Sequence, residues 1–166
     1  ETSIELPTLP PKVHTVDTPQ GPELEVRELR IALFGELRGE IEPCGCPTIP
    51  FGGFERRVRK LTQLSEDGPI LQLDAGEMLL KGHSTIRSEN REIRIQAILD
   101  LSAEAGVHAW APGPTDLMAI GLDGLLDIST GIRSGPPPIS ATWVSRSGTP
   151  FLSPSRIIEL EAMKVG

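Results

Sequence analysis

The stretch PILQLDAGE, residues 69–77, decides the fold class. Ile70, Leu71 and Leu73 make a short apolar run between Pro69 and Gly76. It is too short for a helix and reads as a strand of the buried, parallel-sheet kind. The same grammar occurs on either side. LRIALFG (29–35) reads as an earlier buried strand and VHAWAPG (107–113) as a later one, each ending in Gly. The three strand ends carry glycine with acidic neighbours, as FGELRG, LDAGE and APGPTD.

The segments between these strands are helical. In GGFERRVRKLTQLSEDG, Phe54, Val58 and Leu61 recur at i, i+4 and i+7, and Arg56, Arg57, Arg59 and Lys60 fall outside that stripe. SENREIRIQAILDLSAEAG reads as a helix capped by Ser88 and stopped by Gly106, with an inner stripe of Ile93, Ala97, Leu101 and Ala105. TDLMAIGLDGLLDI reads as a third helix, with Thr115 as its cap. After the loop GIRSGPPP, the stretches ISATWV and RIIELEA alternate enough to predict two later strands. The order β-α-β-α-β-α-β-β predicts an α/β fold, a mainly parallel sheet with flanking helices and right-handed crossovers. In such sheets ligands gather beyond the carboxyl ends of the strands.

Residues 1–26 hold Pro7, Pro10, Pro11, Pro19 and Pro22 and show little periodicity. They read as an extended arm or linker, and residues 27–166 as one α/β domain. The opening ETSIELPTLPPK has no initiating Met and no signal-peptide pattern, and reads as a mature or trimmed start. A net charge of −7 argues against nucleic acid and anionic membrane as partners. Two Trp, four Phe and no Tyr argue against a base-stacking surface. No apolar run approaches the roughly 18 residues of a membrane span.

Both cysteines lie in EPCGCPTIPFGGFERR, as Cys44 and Cys46 around Gly45. Two thiols one residue apart close a ring only under strain, and Gly45 gives the backbone freedom to permit it. A strained disulfide is easily reduced, which suits exchange chemistry. The pair precedes a helix predicted to start at Gly52 and Gly53, with Arg56 and Arg57 in its first turn. A positive helix end and guanidinium groups lower a thiol pKa. Two other readings stand beside this one. The thiolates suit a soft metal such as Cu or Zn, with His83 or a second subunit supplying further ligands. Alternatively, the cysteines are small buried residues or an inert disulfide shaping the loop. His14 and His108 read as non-ligands.

Four stretches, in this order, resemble the amino-terminal half of the 5′-nucleotidase branch of the calcineurin-like metallophosphoesterases. They are GELRGEIEP (35–43), FGGFERR (51–57), LDAGE (73–77) and GPTD (113–116). The resemblance covers residues 28–166 and implies a partial calcineurin-like layered sandwich. It also implies that Glu36, Asp74, Glu77 and Asp116 stand at or near metal-ligand positions, whereas Arg38, Pro114 and Thr115 replace ligands of the family pattern. A binuclear hydrolytic site needs imidazole and carboxylate ligands. A subset of the branch in bacterial envelope proteins, some described as having selenocysteine near this position, is more similar still. It shares EPCGC, the following Gly-Gly and Arg, and GP-x-DL.

The resemblance to that subset implies a domain of the periplasm or cell envelope, and the replacement of metal ligands by Arg38, Pro114 and Thr115 predicts that it is non-hydrolytic. Cys44 and Cys46 would carry thiol or electron chemistry, Arg56 and Arg57 would assist, and Arg38, Gly52 and Gly53 would form an anion site. A divergent phosphoesterase and an assembly subunit without chemistry are the alternatives. A sheet left open by a partial fold predicts a homo-oligomer or a protein partner, beside a redox protein partner.

Overall fold

In the computed structural model, residues 28–43, 45, 48, 52–80, 88–161 and 163–166 are described. The proline-rich arm, Cys44, Cys46 and His83 lie outside them. Three parallel strands form the sheet in the order β1 (Arg30–Phe34), β2 (Ile70–Asp74), β3 (Ala109–Trp110). The register pairs Ile31 with Leu71, Leu33 with Leu73 and Leu73 with Ala109. The crossovers are α1 (Phe54–Ser65) and α2 (Ser88–Glu104), and α3 (Pro114–Ser129) follows β3. The predicted α/β class and the order of its first six elements therefore agree with the structure.

The core is built where β2 and β3 meet α2 and α3. Met78, Leu79, Ile95, Ile98, Leu99, Trp110 and Leu125 pack there with essentially no exposure. Their burial is the main favourable term holding these layers, at roughly 1.5–3 kcal/mol per large side chain.

Several expectations need correction. The first strand is not buried on both faces. Among the described residues it is the edge of the sheet, and Ile31 and Leu33 are 57% and 68% exposed. The face made by Arg30, Ala32 and Phe34 is the covered one: Arg30 donates to the Leu64 carbonyl of α1 at 3.2 Å. The core stripe of α2 is Ile95, Ile98, Leu99 and Ser102, whereas Ile93 of the expected stripe is 70% exposed. This helix is apolar on two flanks, so periodicity fits either. Gly113, not Thr115, is the N-cap of α3, because Pro114 is suited to the first helical turn where an N–H has no helical partner. The backbone of α3 breaks at Gly121, with φ 68° and ψ 177°.

ISATWV is not a continuous strand. Pro136 and Pro137 precede it, and only single bridges form, from Trp110 to Pro138, Ile139 to Ser153 and Val144 to Pro150. The last strands are a separate antiparallel hairpin, β4 (Ile158–Leu160) with β5 (Met163–Val165), and β5 was not anticipated. No helix among the described residues is long and apolar enough to cross a membrane.

Candidate functional site

The loops leaving β1 and β2 run side by side beyond the sheet and continue its ladder. Glu36 N–H donates to the Gly76 carbonyl at 2.9 Å, Arg38 N–H to Glu77 at 2.8 Å and Gly39 N–H to Met78 at 3.0 Å. To hold this path, Glu36, Arg38 and Glu77 adopt left-handed φ of 57°, 48° and 57°. Such φ values are uncommon outside glycine and cluster where the surrounding structure over-determines the backbone. Gly76 is required for a second reason: a Cβ there would clash with the Ala111 carbonyl of the loop after β3.

Asp116 ties the plate together. Its side chain is fully buried and accepts from four backbone N–H groups: Glu77 at 2.8 Å, Met78 at 2.9 Å, Leu79 at 2.8 Å and Gly113 at 2.9 Å. The Gly113 bond is the acid-to-cap half of a capping box. Burial pushes the carboxyl of Asp116 up, and the four N–H groups oppose this. Glu77 turns instead to the start of α3, where its carboxylate accepts from the Thr115 hydroxyl and, at 3.4 Å, from Thr115 N–H.

Asp74, at the end of β2, meets Arg57 of α1 at 3.5 Å, and Gly76 N–H donates to its other oxygen at 3.0 Å. Arg57 is the cation that sequence reasoning placed outside, yet its side chain is only 11% exposed. It lies over the Phe34 ring, 3.6 Å from the centroid. Its position, three residues after Phe54 and four before Leu61, is a signal for the inner face. Desolvation lowers the Arg57 pKa against the pull of Asp74. Burial likewise pushes the Asp74 carboxyl up, against Gly76 N–H and Arg57. Arg57 keeps two buried donors, Nε and Nη2, without acceptors among the described residues.

The carboxylates of the expected metal set are therefore engaged with partners of their own. Asp116 spends its oxygens on backbone, Glu77 on Thr115 and Asp74 on Arg57 and Gly76. Glu36 is exposed and pairs with Arg38 at 3.4 Å. Among the described residues no three His, Cys, Asp or Glu side chains come together to hold a metal ion. His83, proposed as an added ligand, lies outside the described residues. His108 is a tie within the fold: its Nδ1 accepts from Gln72 N–H at 3.1 Å.

The frame of the Cys-Gly-Cys loop is described although Cys44 and Cys46 are not. Phe54 N–H donates to the Ile41 carbonyl at 2.8 Å, and Gly53 abuts Pro43 so closely that a Cβ at position 53 would lie 2.9 Å from Pro43 N. Gly53 is the N-cap of α1, with φ 89° and no side-chain cap. Gly52 is exposed, also in the left-handed region at φ 68°. The two ends of the loop thus meet at the start of a twelve-residue helix whose N-cap residue, Gly53, has no side chain to cap it. Arg56 is exposed on that first turn.

The chain matches no protein-family model and no curated protein sequence.

Proposed function

We propose that this chain is a 5′-nucleotidase-like, partial calcineurin-type domain of the cell envelope that has left hydrolysis and uses Cys44 and Cys46 for thiol–disulfide exchange. The observation that carries this reading is the frame of the cysteine loop. Pro43 and Gly53 are in contact, so the loop begins and ends at the start of α1. A helix N-terminus carries about half a positive charge and favours an anion by about 0.3–1 kcal/mol or more. A thiolate is such an anion, and its pKa falls accordingly.

The commitments of the carboxylates support the same reading. A hydrolytic pair of metal ions needs free oxygen ligands, and recruiting Asp116 would strip four backbone N–H groups of their acceptor. Arg38 adds a fixed charge at the same plate. In the exchange reaction, one thiolate of the reduced pair attacks a disulfide of a partner protein and forms a mixed disulfide. The second thiol loses its proton, attacks the bridged sulfur and releases the partner's thiolate. Two electrons pass to the partner, and Cys44–Cys46 is left as a disulfide.

Iodoacetamide alkylation of the reduced, folded protein, followed against pH, tests the reading. Cys44→Ser and Cys46→Ser assign the reactive sulfur. At least one thiol should titrate about one unit below the usual value of about 8.5 and react at neutral pH faster than a cysteine peptide. Two unreactive thiols, or turnover of nucleotides with Mn, Co or Zn that disappears in Glu36→Ala, would overturn the proposal.

A further inference from the structure

A concave site adjoins the frame of the cysteine loop. Segment 41–43, the first half of α1 and the carboxyl end of α2 enclose an apolar cavity of about 660 Å³. Its apolar walls are Ile41, Pro43, Phe54, Val58, Leu101 and Ala105. The volume falls within the roughly 300–1,000 Å³ of ligand sites. Charged residues line the same cavity: Glu42, Glu55, Arg59 and Glu104. Glu55 and Arg59 pair with each other at 3.0 Å. Glu42 and Glu104 are exposed and have no ion pair with a described residue. Among the described residues the cavity therefore carries two uncompensated carboxylates, one from segment 41–43 and one from α2. Pro43 belongs to both features. It is a wall of the cavity, it packs against Gly53 at the start of α1, and it directly precedes Cys44 in the chain.

Resting on the thiol-exchange reading above, we propose that this cavity binds the partner polypeptide: it takes an apolar side chain with a Lys or Arg beside it, from the segment adjoining the partner's disulfide. Removing an apolar side chain from water against these walls is the main favourable term. The carboxylates then choose among apolar ligands. A nucleotide or a small anionic disulfide is repelled by Glu42 and Glu104 and finds apolar walls. A neutral apolar molecule fills the walls but leaves both carboxylates without a counter-charge. A polypeptide with neighbouring apolar and basic residues meets both demands. The basic residue also serves the chemistry, because a cation beside a cysteine stabilises its thiolate. When a thiolate of Cys44 or Cys46 attacks, a new S–S bond forms to the attacking sulfur and the partner's S–S bond breaks. The electron pair leaves on the partner's other sulfur, and a lower pKa makes that sulfur the better leaving group. The charge that seats the partner thus also speeds the cleavage of its disulfide.

Fluorescence anisotropy of labelled, cysteine-free peptides titrated with the full chain tests the site without using its thiols. A peptide containing Lys-Leu-Phe-Lys should bind saturably. Its Glu-Leu-Phe-Glu and Lys-Ser-Ser-Lys counterparts should bind about tenfold more weakly or worse. The double variant Glu42→Lys/Glu104→Lys changes only exposed side chains and should invert the preference between the Lys and Glu peptides. Ala105→Trp, which fills the cavity, should weaken both, with circular dichroism reporting the fold. Disulfide-linked forms of the same peptides should be reduced by the reduced protein in the same order, and the double Lys variant should invert that order as well. Absence of saturable binding overturns the proposal. So does equal binding of the Lys and Glu peptides, or a preference that the double variant leaves unchanged. A neutral naphthylamine dye that fills the cavity and is not displaced by the Lys peptide would assign it to a small apolar ligand and overturn the proposal too. Charge-selective peptide binding by a protein whose thiols do not react would support the cavity's ligand class and overturn the exchange reading alone.

Discussion

Two aspartates stand at the strand ends, both fully buried, and they are held in opposite ways. Asp116 accepts from four neutral backbone donors drawn from two loops. Asp74 shares one N–H and one guanidinium, and that guanidinium retains two donors with no acceptor among the described residues. The first arrangement is closed: every bond to the carboxylate comes from a backbone N–H, and the charge is spread over fixed dipoles. The second still carries polar demand, because burying Arg57 costs solvation that one 3.5 Å contact with Asp74 does not fully offset. The region around Asp116 is therefore a rigid plate, and the region around Arg57, beside the start of α1, is the part of the strand ends that remains chemically unsaturated.

The sharpest way to break the comparison is to remove Asp116. Asp116→Ala leaves four N–H groups without an acceptor, and a buried orphan donor costs about 1–3 kcal/mol. The expected loss is about 4 kcal/mol or more, which rivals the whole stability of many domains at about 5–15 kcal/mol. Asp116→Asn retains one carbonyl oxygen and should lose less. Urea unfolding monitored by circular dichroism measures both. A loss below about 1 kcal/mol for the alanine variant would mean that water replaces the carboxylate and the plate is not closed.

The second prediction concerns the open region. Arg57→Met and Asp74→Asn should each destabilise by about 3–5 kcal/mol, because each leaves the other member of a buried pair uncompensated. Met retains apolar contact with Phe34, and Asn retains an acceptor for Gly76 N–H. The double variant should lose clearly less than the two single losses combined, with a coupling of about 2 kcal/mol or more. Coupling near zero would show that the two groups do not depend on each other.

What was legible follows the same division. The three parallel strands were readable because short apolar runs ending in Gly at fixed intervals admit few other folds. The plate itself was readable only as glycines and acids at strand ends. That Asp116 serves backbone rather than a metal depends on two loops meeting, which no local pattern encodes, although an acid three residues after the N-cap Gly113 is a local hint. Arg57 was misplaced because charge outweighed position: its spacing from Phe54 and Leu61 fits the inner face. The core face of α2 was misjudged because the helix offers two apolar stripes, and only packing chooses between them. Ile31 and Leu33 were expected inside because a run of apolar residues does not reveal that its strand lies at an edge.

The smallest expected effect is on pH dependence, and its sign separates Asp74 and Asp116 from an exposed carboxylate network. Burial raises the folded-state pKa of both Asp74 and Asp116 above the ordinary 3.8. A carboxyl raised on folding binds more protons in the native than in the unfolded state. Its contribution is fully present below the unfolded pKa and is lost as pH rises through the folded value. Stability should therefore increase as pH falls through the folded pKa of each group towards the unfolded value, by at most roughly 1.4 kcal/mol per pH unit for each group. Asp100 behaves oppositely. Its hydrogen bonds from Ser134 and Gln96 hold its pKa down, so its stabilisation is present above the unfolded pKa and is lost only as pH falls below that value towards the folded one. The two signs thus occupy different windows: the gain from Asp74 and Asp116 lies above about pH 4 and the loss from Asp100 below it. Urea midpoints should rise as pH falls from 7 towards 4 for the unaltered protein, and more shallowly in Asp74→Asn. A midpoint that falls steadily from pH 7 towards 4 would mean that the buried pair stays fully ionised in the native state. Arg57 would then satisfy Asp74 as completely as four backbone donors satisfy Asp116, and the contrast between the two regions would be lost.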